Sequence, residues 1–249
     1  MVTHIIIPFQ QRSSFQLREY AKMFEHLPEK KFSLLPMSDF MKGKKKSTED
    51  KEAFEDRIAE EARTLKAEVN IIRNQSSFDS LLSWSCFADL VSLQVMTGKS
   101  LEQFTGVFPD GALSTMNCSL FISPFTADAF HEIMIVGDFD QSIVTAIKSF
   151  LLLFGVQVKN KKVTVFTPTP EDELSISFEQ DLISFIRKSF NDVGIVPIKI
   201  EALDRQMASI ANKLEKPILI IGHRNLGLLS SSELRSLIIS KKLSIFYSN

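Results

Sequence analysis

An apolar run closed by a polar turn and continued by an amphipathic helix occurs twice in this chain. The first copy opens at His4-Ile5-Ile6-Ile7-Pro8-Phe9-Gln10, the second at Glu132-Ile133-Met134-Ile135-Val136-Gly137-Asp138. The copies lie about half the chain apart, and self-similarity at that spacing signals a tandem of two like units. A strand apolar on both faces needs cover on both faces. Each unit is therefore expected to be a parallel sheet wrapped by helices.

The order of elements agrees with this. In the first half, residues 5–8, 31–36, 67–72, 89–95 and 118–123 read as strands. Leu17, Tyr20, Ala21 and Phe24 share one helical face, as do Phe54, Ile58, Ala62 and Leu65. Ser76 and Ser77 precede a short helix carrying Phe78, Leu81 and Leu82. Residues 97–117 are small and polar and read as irregular, and 41–47 as a lysine-rich linker. The second half repeats the order, with strands at 133–136, 162–166, 195–200, 217–221 and 243–247. Its helices are expected at 141–154, at 178–190 and around Met207, Ile210, Ala211 and Leu214. The expected fold class is α/β: two tandem doubly wound, five-stranded parallel-sheet domains, at 1–127 and 128–249. The last strand of each half is apolar, and pairing the two would hide both edges, giving an intramolecular pseudo-dimer.

With 249 residues, 44% of them hydrophobic, the chain can bury a sizeable core. The balance of 29 Lys+Arg against 30 Asp+Glu gives no general reason to expect nucleic acid. The short basic run Lys42, Lys44, Lys45, Lys46 lacks interleaved aromatics and reads as a solvated linker. No apolar run approaches the roughly 20 residues of a spanning helix, and no signal-peptide pattern is present. A cytoplasmic protein without a membrane partner is expected. Cys86 and Cys118 lack metal spacing and read as reduced, largely buried thiols. The aromatic content is mostly Phe, which fills cores without a polar handle.

Two turns in the second half carry chemistry. Asp138-Phe139-Asp140-Gln141-Ser142 follows the first strand, with Ala146-Ile147 further along. Leu219-Ile220-Ile221-Gly222-His223-Arg224-Asn225 follows the fourth, and Arg235-Ser236 comes after it with nine residues between Asn225 and Arg235. These turns and the element order resemble the universal stress protein family in its tandem form. The resemblance implies an adenine nucleotide α hydrolase-like fold. It also implies a nucleotide motif Gly-2X-Gly-9X-Gly-Ser/Thr, here Gly222, Asn225, Arg235 and Ser236, with an acidic residue, here Asp138, near the adenosine. Phosphates are held by backbone N–H groups at a loop and helix N-terminus, and glycine lets the backbone approach closely. Asn225 can still adopt a left-handed backbone, whereas Arg235 substitutes a guanidinium for close approach. In the first half Gln10 replaces the acidic residue and the Gly-2X-Gly is missing.

Other constellations are incomplete. Gly98-Lys99-Ser100 has Leu93 where a P-loop needs its first glycine. His223 lies in the expected crevice without catalytic partners. His4, His26 and His131 lack metal spacing, and no nucleophile elbow is found. The expected function is a non-catalytic, ligand-sensing or scaffolding stress-response module with weak or lost binding of ATP or another adenine nucleotide. Its expected partners are itself, as pseudo-dimer or homodimer, and a regulatory protein. The alternative is a slow nucleotide-hydrolysing or phosphate-transferring enzyme of the related group.

Overall fold

Runs of isoleucine, leucine and valine cannot face water on either side, and each such run becomes a strand between helices. In the computed structural model the described residues are 2–9, 15–37, 51–65, 67–73, 77–95, 112–124, 130–137, 140–169, 173–240 and 242–249. The lysine run at 42–46, the segment 98–100, Gln10, Asp138 and the junction at 125–129 lie outside them. Two compact units result, Met1–Cys118 and Ser119–Pro124 with Ala129–Asn249.

In the first unit, β1 (Thr3–Phe9), β2 (Lys30–Pro36), β3 (Glu68–Ile71) and β4 (Leu90–Val95) form a parallel sheet in the order β3-β2-β1-β4. Helices α1 (Leu17–Met23), α2 (Lys51–Leu65) and α3 (Phe78–Ser85) connect the strands. Ile5, Ile6, Ile7, Phe32 and Leu34 are fully buried. His4 ties the strands together at their amino ends. Its Nδ1 lies 2.6 Å from the Phe87 carbonyl and its Nε2 2.7 Å from Ser33 Oγ. A carbonyl only accepts, so in the neutral ring Nδ1 carries the proton and the Ser33 hydroxyl donates to Nε2.

The second unit holds β5 (Ser119–Pro124), β6 (Glu132–Val136), β7 (Lys162–Pro168), β8 (Asp192–Ile198), β9 (Pro217–Ile221) and β10 (Ser244–Tyr247). Their order is β5-β10-β9-β6-β7-β8. Four of the five pairings are parallel, but β5 runs antiparallel to β10, with Ile245 opposite Ile122 and Phe246 opposite Phe121. The two final strands thus pair as their apolar edges require. The α/β class with mostly parallel strands is as expected. Each half of the chain supplies five of the ten described strands, as expected, and β5 clusters with the second unit through β10.

Helices α4 (Gln141–Val158), α5 (Glu173–Ser189), α6 (Leu203–Ala211) and α7 (Ser232–Ile239) cover this sheet. By length and composition α4 could cross a membrane. Its apolar content has another cause: Ile143, Ala146, Ile147, Phe150, Leu153, Phe154 and Val158 are buried. Phe154 sits among Phe121, Phe130, Phe150 and Phe246 at centroid separations of 5.6, 5.6, 5.1 and 6.2 Å. The thiols differ from expectation. Cys118 is buried, with burial pushing it up to about 12, but Cys86 is exposed. Cys86 lies just past the end of α3, where the helix face turns outward.

Candidate functional site

The site sits at the carboxyl ends of β6 and β9. These strands are neighbours at the point where chain order reverses, which is where open α/β sheets place ligands. Two segments meet there. One is the turn from β6 into α4. The other is a 3-10 stretch, His223–Ser230, between Gly222 and α7. Nothing in the spacing of the apolar residues announces that 3-10 stretch.

Gly222 is buried and in ordinary extended backbone, φ −88° and ψ 179°, which any residue adopts. Its need for glycine is therefore spatial. A β-carbon there would meet Ser142 Oγ and come within 2.7 Å of the Ile143 amide nitrogen. Gly222 thus lets the end of β9 touch the first turn of α4, the close helix–strand packing that one glycine of a dinucleotide fingerprint also serves.

Asp140 is the N-cap of α4, and its Oδ1 accepts from the Ser142 amide at 2.7 Å. The Ser142 amide, then the Ser142 hydroxyl, hold the Asp140 carboxyl below its usual range, with smaller help from Arg224 and His223. The sequence names Asp138 in this turn; the capping role belongs to Asp140. Asp140→Ala should cost about 1 kcal/mol of stability at neutral pH. A lowered folded-state pKa contributes stability above the unfolded value and loses it as pH falls through the folded one. The gap between wild type and variant in urea unfolding should be full at pH 7 and shrink below about pH 4. A gap unchanged at low pH would show that the carboxylate is not the cap.

At the other side, α7 starts at Ser232. Ser231 Oγ and Ser232 Oγ donate to Glu233 Oε2 at 3.1 and 2.8 Å. The Ser232 hydroxyl, Glu233's own amide and the Ser231 hydroxyl hold this exposed carboxyl below its usual range. A carboxylate of the chain thus stands in the first turn of α7, where the helix dipole favours an anion. Arg235 and Ser236 fall in the second turn. Arg235 Nε donates to the Leu229 carbonyl at 3.1 Å, and Ser236 is exposed. Asn225 lies inside the 3-10 stretch, its amide donating to the Gly222 carbonyl at 3.2 Å. His223 is exposed, with Nδ1 3.4 Å from the hydroxyl of Tyr247, which burial pushes up to about 12. Gly222 and Asn225 are thus adjacent in the crevice, whereas Arg235 and Ser236 stand a helical turn away from the start of α7. The run Ser230-Ser231-Ser232-Glu233 before Leu234, Leu237 and Ile238 is the sequence signal for that start.

In the first unit, aromatic rings cluster at the carboxyl end of β1. Phe9, at the end of β1, lies 5.0 Å from Phe15 and 5.3 Å from Phe54. Arg57 closes this cluster, donating to the Phe15 carbonyl at 3.0 Å with its guanidinium 5.4 Å from the Phe54 ring centre. Among the described residues no group of three or more His, Cys, Asp or Glu is arranged to hold a metal ion.

No family model matches the chain, and no curated protein matches it. Solved structures do. A universal stress protein from Archaeoglobus fulgidus DSM 4304 superposes with a TM-score of 0.60 at 12% identity, covering 99% of this chain and 96% of that one. A functionally unknown protein from Pseudomonas aeruginosa PAO1 gives 0.60 at 14% identity, covering 98% and 91%. The cytoplasmic domain of a prokaryotic cation chloride cotransporter gives 0.52 at 12%, covering 99% and 95%. Across nearly its whole length, then, this chain has the fold of the universal stress proteins.

Proposed function

We propose that this chain is a cytoplasmic, non-catalytic module of the universal stress type that senses a ligand or scaffolds a regulatory protein, and that its affinity for ATP is weak or lost. One observation carries the reading. Both helix N-termini bordering the crevice are engaged by the chain's own acids, Asp140 on the α4 amide and Glu233 on the hydroxyls that open α7. A phosphate chain needs those donors free and the local charge positive. Each phosphate hydrogen bond that these acids pre-empt costs about 1–3 kcal/mol, so two weaken affinity about a hundredfold or more. The likeness to a cytoplasmic domain of a transporter supports the regulatory half of the proposal, because there too the fold occurs in a domain attached to another activity.

Titration calorimetry with ATP and Mg²⁺ tests it. The wild type should show no submicromolar site, and Glu233→Gln should bind more tightly than wild type, at one site per chain. The second unit should hold that site, because the first has Gln10 in place of the acidic residue and lacks the Gly-2X-Gly. Submicromolar binding by the wild type, or two equivalent sites, would overturn the reading. Steady ATP turnover abolished by Asp138→Ala would replace it with the enzymatic alternative.

A further inference from the structure

β3 forms one edge of the first unit's sheet and β8 one edge of the second's, and the two edges differ in kind. β3 has four residues, with Glu68 and Asn70 exposed and Lys31 ion-paired to Glu68. A short, charged strand is how proteins keep a sheet edge from recruiting another strand. β8 has seven residues, Asp192-Val193-Gly194-Ile195-Val196-Pro197-Ile198, and among the described residues it pairs with β7 alone. Ile195 is 37% exposed, Val193 and Val196 are half-buried, and no charge stands between Asp192 and Lys199. Pro197 alone breaks the row of N–H donors. This edge has the length and the apolar character that its counterpart in the first unit avoids.

The charges at its ends select an occupant. Asp192 opens the strand and Lys199 follows it; both are exposed. Antiparallel pairing with a second copy brings Asp192 of one chain and Lys199 of the other to the same end of the ladder, twice. Parallel pairing would bring like charges together instead. A two-fold axis between two antiparallel strands requires some residue to face its own copy. With Ile195 at that centre, an exposed isoleucine covers its own copy, and Val193 faces Pro197. From this geometry we propose that β8 is a homodimerisation edge, joining two copies of the chain through antiparallel β8–β8 pairing centred on Ile195. The proposal is independent of what binds at Gly222. The exposed charges set direction, while the ladder and Ile195 supply the affinity. The interface is small and belongs to the weak class.

Sedimentation equilibrium on the full chain, at concentrations up to about 500 μM, should show a reversible monomer–dimer equilibrium. Ile195→Lys places two like charges at the axis and should raise the dissociation constant about a hundredfold, with an unchanged melting curve. Asp192→Lys and Lys199→Asp should each weaken the dimer, and the two together should restore it. In a Cys86→Ser background, Ile195→Cys should cross-link into dimers on mild oxidation, since directly opposed Cα atoms lie about 4.5–5.5 Å apart. A chain that stays monomeric at the highest concentration overturns the proposal. So does a dimer indifferent to Ile195→Lys, or a double charge reversal that recovers nothing.

Discussion

Phe154→Ala should lower the unfolding free energy of the second unit by about 3–5 kcal/mol, the range for deleting a fully buried aromatic ring. Phe154 is 1% exposed and touches rings from two strands, from its own helix and from the segment before β6. Phe150 is on its own helix, Phe121 on β5, Phe246 on β10, and Phe130 precedes β6. Removing it leaves a cavity that rigid neighbours on different strands cannot close. Urea unfolding followed by circular dichroism measures the loss, and the melting temperature should fall by about 6–20 °C. Phe154→Leu should cost clearly less. A loss under about 1 kcal/mol for the alanine variant would mean that β5 and β10 hold without the aromatic cluster.

Gly222→Ala should be nearly as damaging, at about 3 kcal/mol, the upper end for forcing atoms into a packed site. The added methyl meets the Ser142 hydroxyl and the backbone of Ser142 and Ile143, and backbone cannot swing aside as a flexible side chain can. The loss should appear without any nucleotide, in thermal melts of the ligand-free protein. Gly227→Ala is the control: its methyl would meet nothing within 4 Å, so stability should hold or rise slightly. Equal melting temperatures for the wild type and Gly222→Ala would return Gly222 to a purely ligand-facing role.

These two sites mark how far the sequence can be read. The strands are legible because Ile5–Ile7, Ile133–Ile135 and Ile218–Ile221 are apolar whichever way they point, and only an interior strand tolerates that. Helix α4 is legible from its spaced isoleucines and phenylalanines, although it runs on to Val158. The pairing of β5 with β10 is legible as well, because two apolar strands that each close one half hide each other's edge. Its register, with Ile122 opposite Ile245, is not, because it depends on contacts far along the chain. The candidate site is half legible. Gly222 and Asn225 follow directly from the end of β9. Arg235 and Ser236 come from the nine-residue gap of the motif, which says nothing of the structure in between. The 3-10 stretch His223–Ser230 tightens that segment, so α7 begins at Ser232 and carries both residues into its second turn. Glu233 does not stand out in the sequence, because an acid near a helix start usually needs no explanation beyond the dipole.

The pairing of β5 with β10 also dictates an order of events during synthesis. Leu120 leaves the ribosome early, but its partner Tyr247 lies beyond every other strand of the second unit. The first unit's four strands are all made once β4 is complete, whereas the side of β5 that faces β10 stays open until Tyr247 arrives. Closing that long loop is slow, and an apolar strand with one open side invites association in the meantime. The newborn chain therefore carries a transient sticky edge near its middle that closes only when its last strand is made.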